Sequence, residues 1–143
     1  MISTKGRYAL RVMIDLAEQK SDSFIPLNAI AERQGISVKY LEIILKGLVR
    51  NGLLEGQRGK GGGYRLTRPP EKYTVGEILE LSESSLSAVA CLVPDAEACP
   101  RSHDCKTLPM WLSFDRMVHD FFYGITLTQL AEGKLPEGSY NNL

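Results

Sequence analysis

Cys91, Cys99 and Cys105 are the only cysteines in the 143-residue sequence, with seven residues in the first gap and five in the second. Three thiols crowded into one short stretch are poorly explained by core packing, although buried free cysteines are common. Thiolates are soft ligands, so the stretch reads as a metal or cluster site. The spacing is not the C-x2-C of zinc ribbons and thioredoxins, which makes both weaker fits. Wider gaps suit a loop wrapped around an iron–sulfur cluster of the 2Fe–2S or 4Fe–4S type, whose irons take thiolates and whose occupancy changes with oxygen, iron or redox state. A fourth ligand is needed. His103 and Asp104 are local candidates, and the first helix of a partner subunit is another source. Zinc binding and thiol oxidation are the alternative chemistries for the same cysteines.

The elements around this stretch decide where the chemistry is felt. From Ser82 to Asp104 the pattern fades into serines, prolines and small residues, a loop long enough to be unusual unless it is functional or disordered. Upstream, Thr74-Val-Gly-Glu77 reads as a capping box opening a helix with Ile78, Leu79 and Leu81 on its apolar face. Downstream, Pro109 suits a first helical turn, and Met110 to Phe122 is strongly apolar. Trp111, Phe114, Val118 and Phe121 are spaced as in a packing seam, while Met110, Leu112, Met117 and Phe122 widen the surface beyond what one small domain can cover. This predicts an isologous homodimer through the helix, with a short capped helix at Thr126-Leu-Thr-Gln129 folded beside it.

The other half of the chain carries a different chemistry. In Pro26 to Gln34 the apolar residues Leu27, Ile30 and Ala31 form one stripe; Gly35-Ile-Ser37 breaks the helix, plugs the gap and caps the next one. The second helix is predicted from Val38 to about Arg50, with Val38, Leu41, Leu45 and Leu48 inward and Lys39, Glu42, Ile43, Lys46 and Arg50 on another face. An ordinary helical hairpin with a solvated face has the same pattern. The residues after it favour a recognition helix: Leu53-Leu54-Glu55, a glycine-rich stretch carrying Arg58 and Lys60, then strand-like alternation at Tyr64-Arg-Leu66 make a wing able to lie along a DNA backbone. A nucleotide-binding P-loop is a poor fit, because Lys60 is followed by Gly61 rather than Ser or Thr and a strand follows the loop. An amphipathic helix from about Thr4 to Gln19, with Ala9, Leu10, Met13, Leu16 and Ala17 inward, completes the core, and Lys5, Arg7 and Arg11 near its start can reach phosphate.

The charge distribution agrees with this division. The chain is 43% hydrophobic and 24% charged, with net charge zero. Residues 1–68 hold 12 Lys and Arg against 6 Asp and Glu, whereas residues 69–143 hold 5 against 11. The basic half is the half with the helix-turn-helix, as expected if cations displace counterions from phosphates. The N-terminus lacks the apolar core of a signal peptide and no stretch approaches the roughly 20 apolar residues of a membrane span, so a cytoplasmic location is expected. With two histidines and no nucleophile–base arrangement, no enzymatic activity is expected.

Ser3-Thr-Lys-Gly-Arg-Tyr-Ala-Leu10, Ile30-Ala-Glu-Arg-Gln-Gly-Ile-Ser37, Tyr40-Leu-Glu42, the Arg58-Gly-x-x-Gly-Gly-Tyr64 wing, the three cysteines and Ile125-Thr-Leu127 together closely resemble the Rrf family of winged-helix regulators, which includes IscR, NsrR and CymR types. The pattern is nearest the IscR type. The resemblance implies a mainly α fold with a small β-wing: a winged helix-turn-helix DNA-binding domain over residues 1–70, and a cluster-binding loop with dimerisation helices over 71–143. It implies a dimeric transcription factor that binds a palindromic operator and senses iron–sulfur, oxygen or redox status through Cys91, Cys99 and Cys105. Its motifs add Tyr40 and Tyr64 to a DNA-binding set of Lys5, Arg7, Lys39, Glu42, Lys46, Arg50, Arg58 and Lys60. The chain departs from IscR-like members in its seven-residue first gap and in Leu108, where a histidine is typical. Tyr8 stands nearest the place from which NsrR-like members lend an acidic ligand. A CymR-like regulator of cysteine metabolism is a poorer match, since that type lacks the cysteines.

Overall fold

A computed structural model of the chain describes residues 2–83 and 85–136. The first helix, α1 (Thr4–Glu18), is capped by Ser3, whose side chain accepts from the Gly6 N–H. It buries Ala9, Val12, Met13 and Leu16 at helical spacing. Next comes α2 (Leu27–Gln34), which ends on Gly35 at φ 61°, the left-handed conformation a glycine C-cap adopts. Ile36, nearly fully buried, plugs the space before α3 (Val38–Arg50), and the Ser37 side chain caps α3 by accepting from the Tyr40 N–H. The inward stripe of α3 is Leu41, Ile44, Leu45 and Leu48. Val38, expected inward, is 42% exposed; it sits in the first turn, beyond the core edge that Ile36 already fills, and Ile44 takes the inward place.

The wing is the antiparallel pair β1 (Leu54–Gln57) and β2 (Gly63–Leu66), in register Leu54 with Leu66 and Gln57 with Gly63. A third strip of backbone joins it: the Ile25 N–H donates to the Tyr64 carbonyl at 2.8 Å and the Tyr64 N–H to the Ile25 carbonyl at 2.9 Å. The extended entry before α2 thus doubles as the wing's inner edge. Gly63 has φ 148° and lies so close to the Ile25 carbonyl that a Cβ would overlap it, which only glycine permits.

Tyr73, fully buried, knots the wing to the second half of the chain. Its hydroxyl donates to the Leu53 carbonyl at 2.8 Å and accepts from the Thr67 and Arg68 N–H groups at 2.9 and 3.1 Å. The helix α4 (Val75–Ser82) is capped by Thr74, which accepts from the Glu77 N–H. The expected reciprocal half of a capping box is missing, because the Glu77 carboxylate pairs with Arg68 instead. Leu81, expected on the apolar face, is 39% exposed, and Val75, Ile78 and Leu79 do the packing.

After a segment with one 3-10 turn at Ala90–Leu92 come α5 (Leu108–Tyr123) and α6 (Leu127–Ala131). The Thr126–Gln129 capping box is present in both directions. Leu127, Tyr73 and Ile78 share the main core with α1–α3, while Val75, Leu79 and Ile125 form a smaller cluster touched by Leu10, Phe121 and Phe122. In contrast, α5 buries no residue fully: Met110, Leu112, Phe114 and Met117 are all exposed. Among the described residues no helix is long and apolar enough to cross a membrane.

Candidate nucleic-acid interface and cysteine segment

Opposite its buried stripe, α3 presents Lys39, Glu42, Ile43, Lys46 and Arg50, all exposed. Three cations around one carboxylate, with apolar Val38 and Ile43 (54% exposed) beside them, can meet phosphates, a base amino group and thymine methyls. Arg58 and Lys60 stand exposed on the wing turn, which Gly59 (φ 88°) and Gly61 (φ 75°) fold tightly. Arg7 is exposed near the start of α1, and Lys5 is half-buried there. The three groups of cations thus come from three separate elements on one scaffold.

Two residues of the expected set have packing partners. Tyr40 is half-buried with its ring edge-on to Tyr8 at 5.8 Å, and Tyr64 lies half-buried in β2 with its ring against Gly56. Arg11, expected to reach phosphate, lies 5.1 Å over the Tyr8 ring and donates to the Gln34 side chain at 3.2 Å and to the Gln34 carbonyl. Arg11 therefore braces α1 against α2.

That brace belongs to a network the sequence reading missed. Asp15 is 1% exposed. It accepts from Arg33 Nε and a terminal guanidinium nitrogen at 2.9 and 2.6 Å, and from the Gln34 side chain at 2.8 Å. Two parallel N–H···O bonds fix direction as well as distance, so they set the angle at which α2 packs on α1. The hydrogen bond to Asp15, more than any other contact, raises the Arg33 pKa above its ordinary value. A signal was available: Asp15 is a charge three residues after Val12, at the border of an otherwise apolar stripe.

The cysteines all lie on the segment between α4 and α5. Cys91 is exposed, Cys99 and Cys105 are half-buried, and all three are free thiols. Cys105 Sγ lies 3.4 Å from Thr107 Oγ1. Hydrogen bonds from the Thr107 side chain, then from the Thr107 backbone, hold the Cys105 thiol below its usual pKa. His103 and Asp104 stand exposed side by side, 3.8 Å apart. Among the described residues no three of His, Cys, Asp and Glu converge on a common point, so the segment must close for all three cysteines to act together. The donor set itself, three unpaired thiols with one held toward thiolate, fits the ligand demand of an iron–sulfur cluster.

The segment is tied at its start to the winged-helix half. Glu83, which terminates α4, accepts from the Ser3 N–H at 2.9 Å and from the Ser3 hydroxyl at 2.7 Å. At the far end of α5, Tyr123 donates to Glu80 and packs its ring on Gly76. Burial first, and Glu80 second, push the Tyr123 phenol up to about 12.

Known proteins resemble this chain in sequence and fold. HTH-type transcriptional regulator IscR of Pectobacterium carotovorum is 36% identical over 133 residues, covering 93% of this chain and 80% of the relative; IscR of Yersinia pseudotuberculosis is 35% identical with the same coverage. Among solved structures, the global cysteine regulator CymR of B. subtilis superposes with a TM-score of 0.74 at 33% identity, over 94% of this chain and 98% of that one. IscR of T. potens gives 0.72 at 31% identity, over 96% and 93%. The family model described as Rrf2, iron-dependent transcriptional regulator, matches residues 2–133. With the winged helix, the exposed cations of α3 and this match over nearly the whole chain, the protein belongs to the Rrf2 family of transcriptional regulators and is a DNA-binding regulator, not an enzyme.

Proposed function

We propose that the protein is a homodimeric regulator whose affinity for a palindromic operator is set by an iron–sulfur cluster held by Cys91, Cys99 and Cys105. The observation that carries this reading is the placement of three free thiols on the one segment that joins α4 to α5. The similarity to IscR and the iron-dependent description of the family support it. When bound, such a cluster supplies a thiolate-ligated iron centre responsive to oxygen, iron or redox state. His103 and Asp104 are the local candidates for a further ligand.

The chain's own residues then act as follows. Lys39, Lys46 and Arg50 contact phosphates and base edges from α3, and Glu42 accepts from a cytosine amino group. Arg58 and Lys60 hold the wing on the backbone, with Lys5 and Arg7 adding contacts from α1. Tyr40 and Tyr64 support these elements from beneath. The exposed Met110, Phe114 and Met117 face of α5 pairs with its copy, which places two recognition helices about 34–36 Å apart, one turn of DNA. Closing the cysteine segment fixes the joint between α4 and α5 and so the spacing of the two α3 helices. A coupling of about 1–3 kcal/mol would change operator affinity roughly 5 to 150-fold. Localisation in the cytoplasm follows from action on DNA.

Anaerobic purification followed by an absorption spectrum with iron and sulfide analysis tests the reading, repeated on Cys99→Ala. Iron and acid-labile sulfide in near-equal amounts, lost in the variant, are expected. A second reading, thiol switching, is favoured by three free thiols, none of them fully buried; a colourless protein that resists reconstitution would select it or a zinc site and reject the cluster.

A further inference from the structure

Glu83 occupies a place that neither packing nor capping of its own helix requires. It is the last residue of the α4 terminus, its N–H donating to the Leu79 carbonyl at 2.8 Å, and it directly precedes the cysteine segment. Its carboxylate nevertheless reaches back eighty residues to the start of the chain. One oxygen receives both the Ser3 N–H and the Ser3 hydroxyl, while the same Ser3 oxygen caps α1 by accepting from Gly6 at 3.1 Å. A carboxylate at a helix N-terminus is favoured by the helix dipole and by the free N–H groups there. Gly6 is buried directly beneath it: a Cβ at that position would run into the same carboxylate oxygen. The glycine between Lys5 and Arg7 is thus explained by the seat it provides for Glu83.

We infer that the Glu83 carboxylate is a latch that positions the N-terminus of α1 on DNA and carries the state of the cysteine segment to it. Lys5 and Arg7 flank Gly6, so whatever moves the carboxylate moves the two cations nearest it. Glu83 directly precedes the segment, so closure of the segment pulls on it, and its carboxylate is hydrogen-bonded to Ser3, two residues before Lys5. The latch rests on the reading of the cysteine segment as the sensing element, but its two contacts are independent of which ligand or modification the cysteines take.

A substitution cycle tests the positioning role. Glu83→Ala removes the carboxylate, and Gly6→Ala displaces it without touching its charge. Each is expected to weaken binding to a random-sequence duplex of about 30 base pairs by about 5-fold and to lower its salt slope by about one. Combined, they should do no more than Glu83→Ala alone, because the added methyl then meets no carboxylate. Glu83→Gln keeps an acceptor oxygen and should retain most of the affinity. Additive losses, or a loss of melting temperature with an unchanged salt slope, would refute the role.

The transmission is tested by amide hydrogen exchange at Gly6 and Arg7 before and after alkylation of the three thiols with N-ethylmaleimide. Exchange is expected to rise about 5-fold or more in the wild type and not in Glu83→Ala. No change in the wild type, or an equal change in both, overturns it. A protein that takes up no iron yet shows this response loses the cluster and keeps the latch; one that loads a cluster and shows none keeps the cluster and loses the latch.

Discussion

Gly63→Ala is the sharpest probe of how the wing is held. The residue has φ 148°, a conformation open essentially to glycine alone, so an alanine there costs roughly 1–3 kcal/mol in backbone strain. Its Cβ would also overlap the Ile25 carbonyl and crowd the Pro26 nitrogen at 2.8 Å, both backbone atoms that no rotamer change can move. Relief requires β2 to lift away from Ile25, breaking the two N–H···O bonds between Ile25 and Tyr64, each worth about 1 kcal/mol. The sum is about 3–5 kcal/mol, a large fraction of the roughly 5–15 kcal/mol that keeps a domain folded. At about 3 °C per kcal/mol for a chain of this size, the melting temperature should fall by about 10–15 °C. On the proposed role of Arg58 and Lys60 as phosphate contacts, a displaced wing removes both, so the salt slope of DNA binding should fall by about two. Gly61→Ala is the control: φ is 75° and its Cβ faces open space, leaving only a strain of about 1–2 kcal/mol. Melting by circular dichroism and DNA titration by fluorescence anisotropy at several salt concentrations read both effects. If Gly63→Ala melts with Gly61→Ala, the Ile25 contact is not what fixes the wing.

Three other outcomes are expected. Arg33→Ala should cost more stability than Asp15→Ala in urea unfolding: the first leaves a carboxylate whose side chain is 2% exposed with only the Gln34 amide to satisfy it, a loss of up to about 3–5 kcal/mol, whereas the second leaves a guanidinium 38% exposed that water can rejoin, and a reversed order would show that the pair does not bear on Asp15's burial. Lys46→Ala should weaken binding on all DNA sequences and lower the salt slope by about one, while Glu42→Ala should broaden base preference in a selection from random duplexes; if neither profile moves, α3 does not read DNA with this face. The Tyr123 phenol is raised from an ordinary value near 10 to about 12, so its stabilising contribution is intact below about pH 10 and lost as pH climbs from about 10 to 12. Melting curves over that range should show a decline that Tyr123→Phe lacks.

The helices of the DNA-binding half were legible because their signals are local: Gly35 and Ser37 end and start helices by their own backbone chemistry, and Leu41, Leu45 and Leu48 repeat at the helical period. Errors arose where tertiary contacts outrank local pattern. The Thr74 box is half-made because Arg68 draws Glu77 away, and Val38 and Leu81 fit a stripe whose neighbours stop short of them. The Asp15–Arg33 bridge and the Glu83–Ser3 contact join residues 18 and 80 positions apart, which no periodicity reveals. At the cysteines, residue type and spacing announced a ligand set, but a loop without periodicity gives no path, and the separation of the thiols became visible only in three dimensions.

The two ends of the α5 excursion are stapled together. The Val75 N–H donates to the Ile125 carbonyl at 2.9 Å and the Leu127 N–H to the Tyr73 carbonyl at 3.0 Å, so the chain leaves and re-enters the main body at one point. Once α4 has packed into the core through Ile78, the cysteine segment and α5 are, topologically, a closed insert on that scaffold. Lengthening such a loop is cheap, since even doubling it costs only about 0.6 kcal/mol of closure entropy. Residues can therefore be gained or lost between Cys91 and Cys99 without unfolding the winged helix, and the segment is free to be refitted to a different ligand while the scaffold that reads out its state stays as it was.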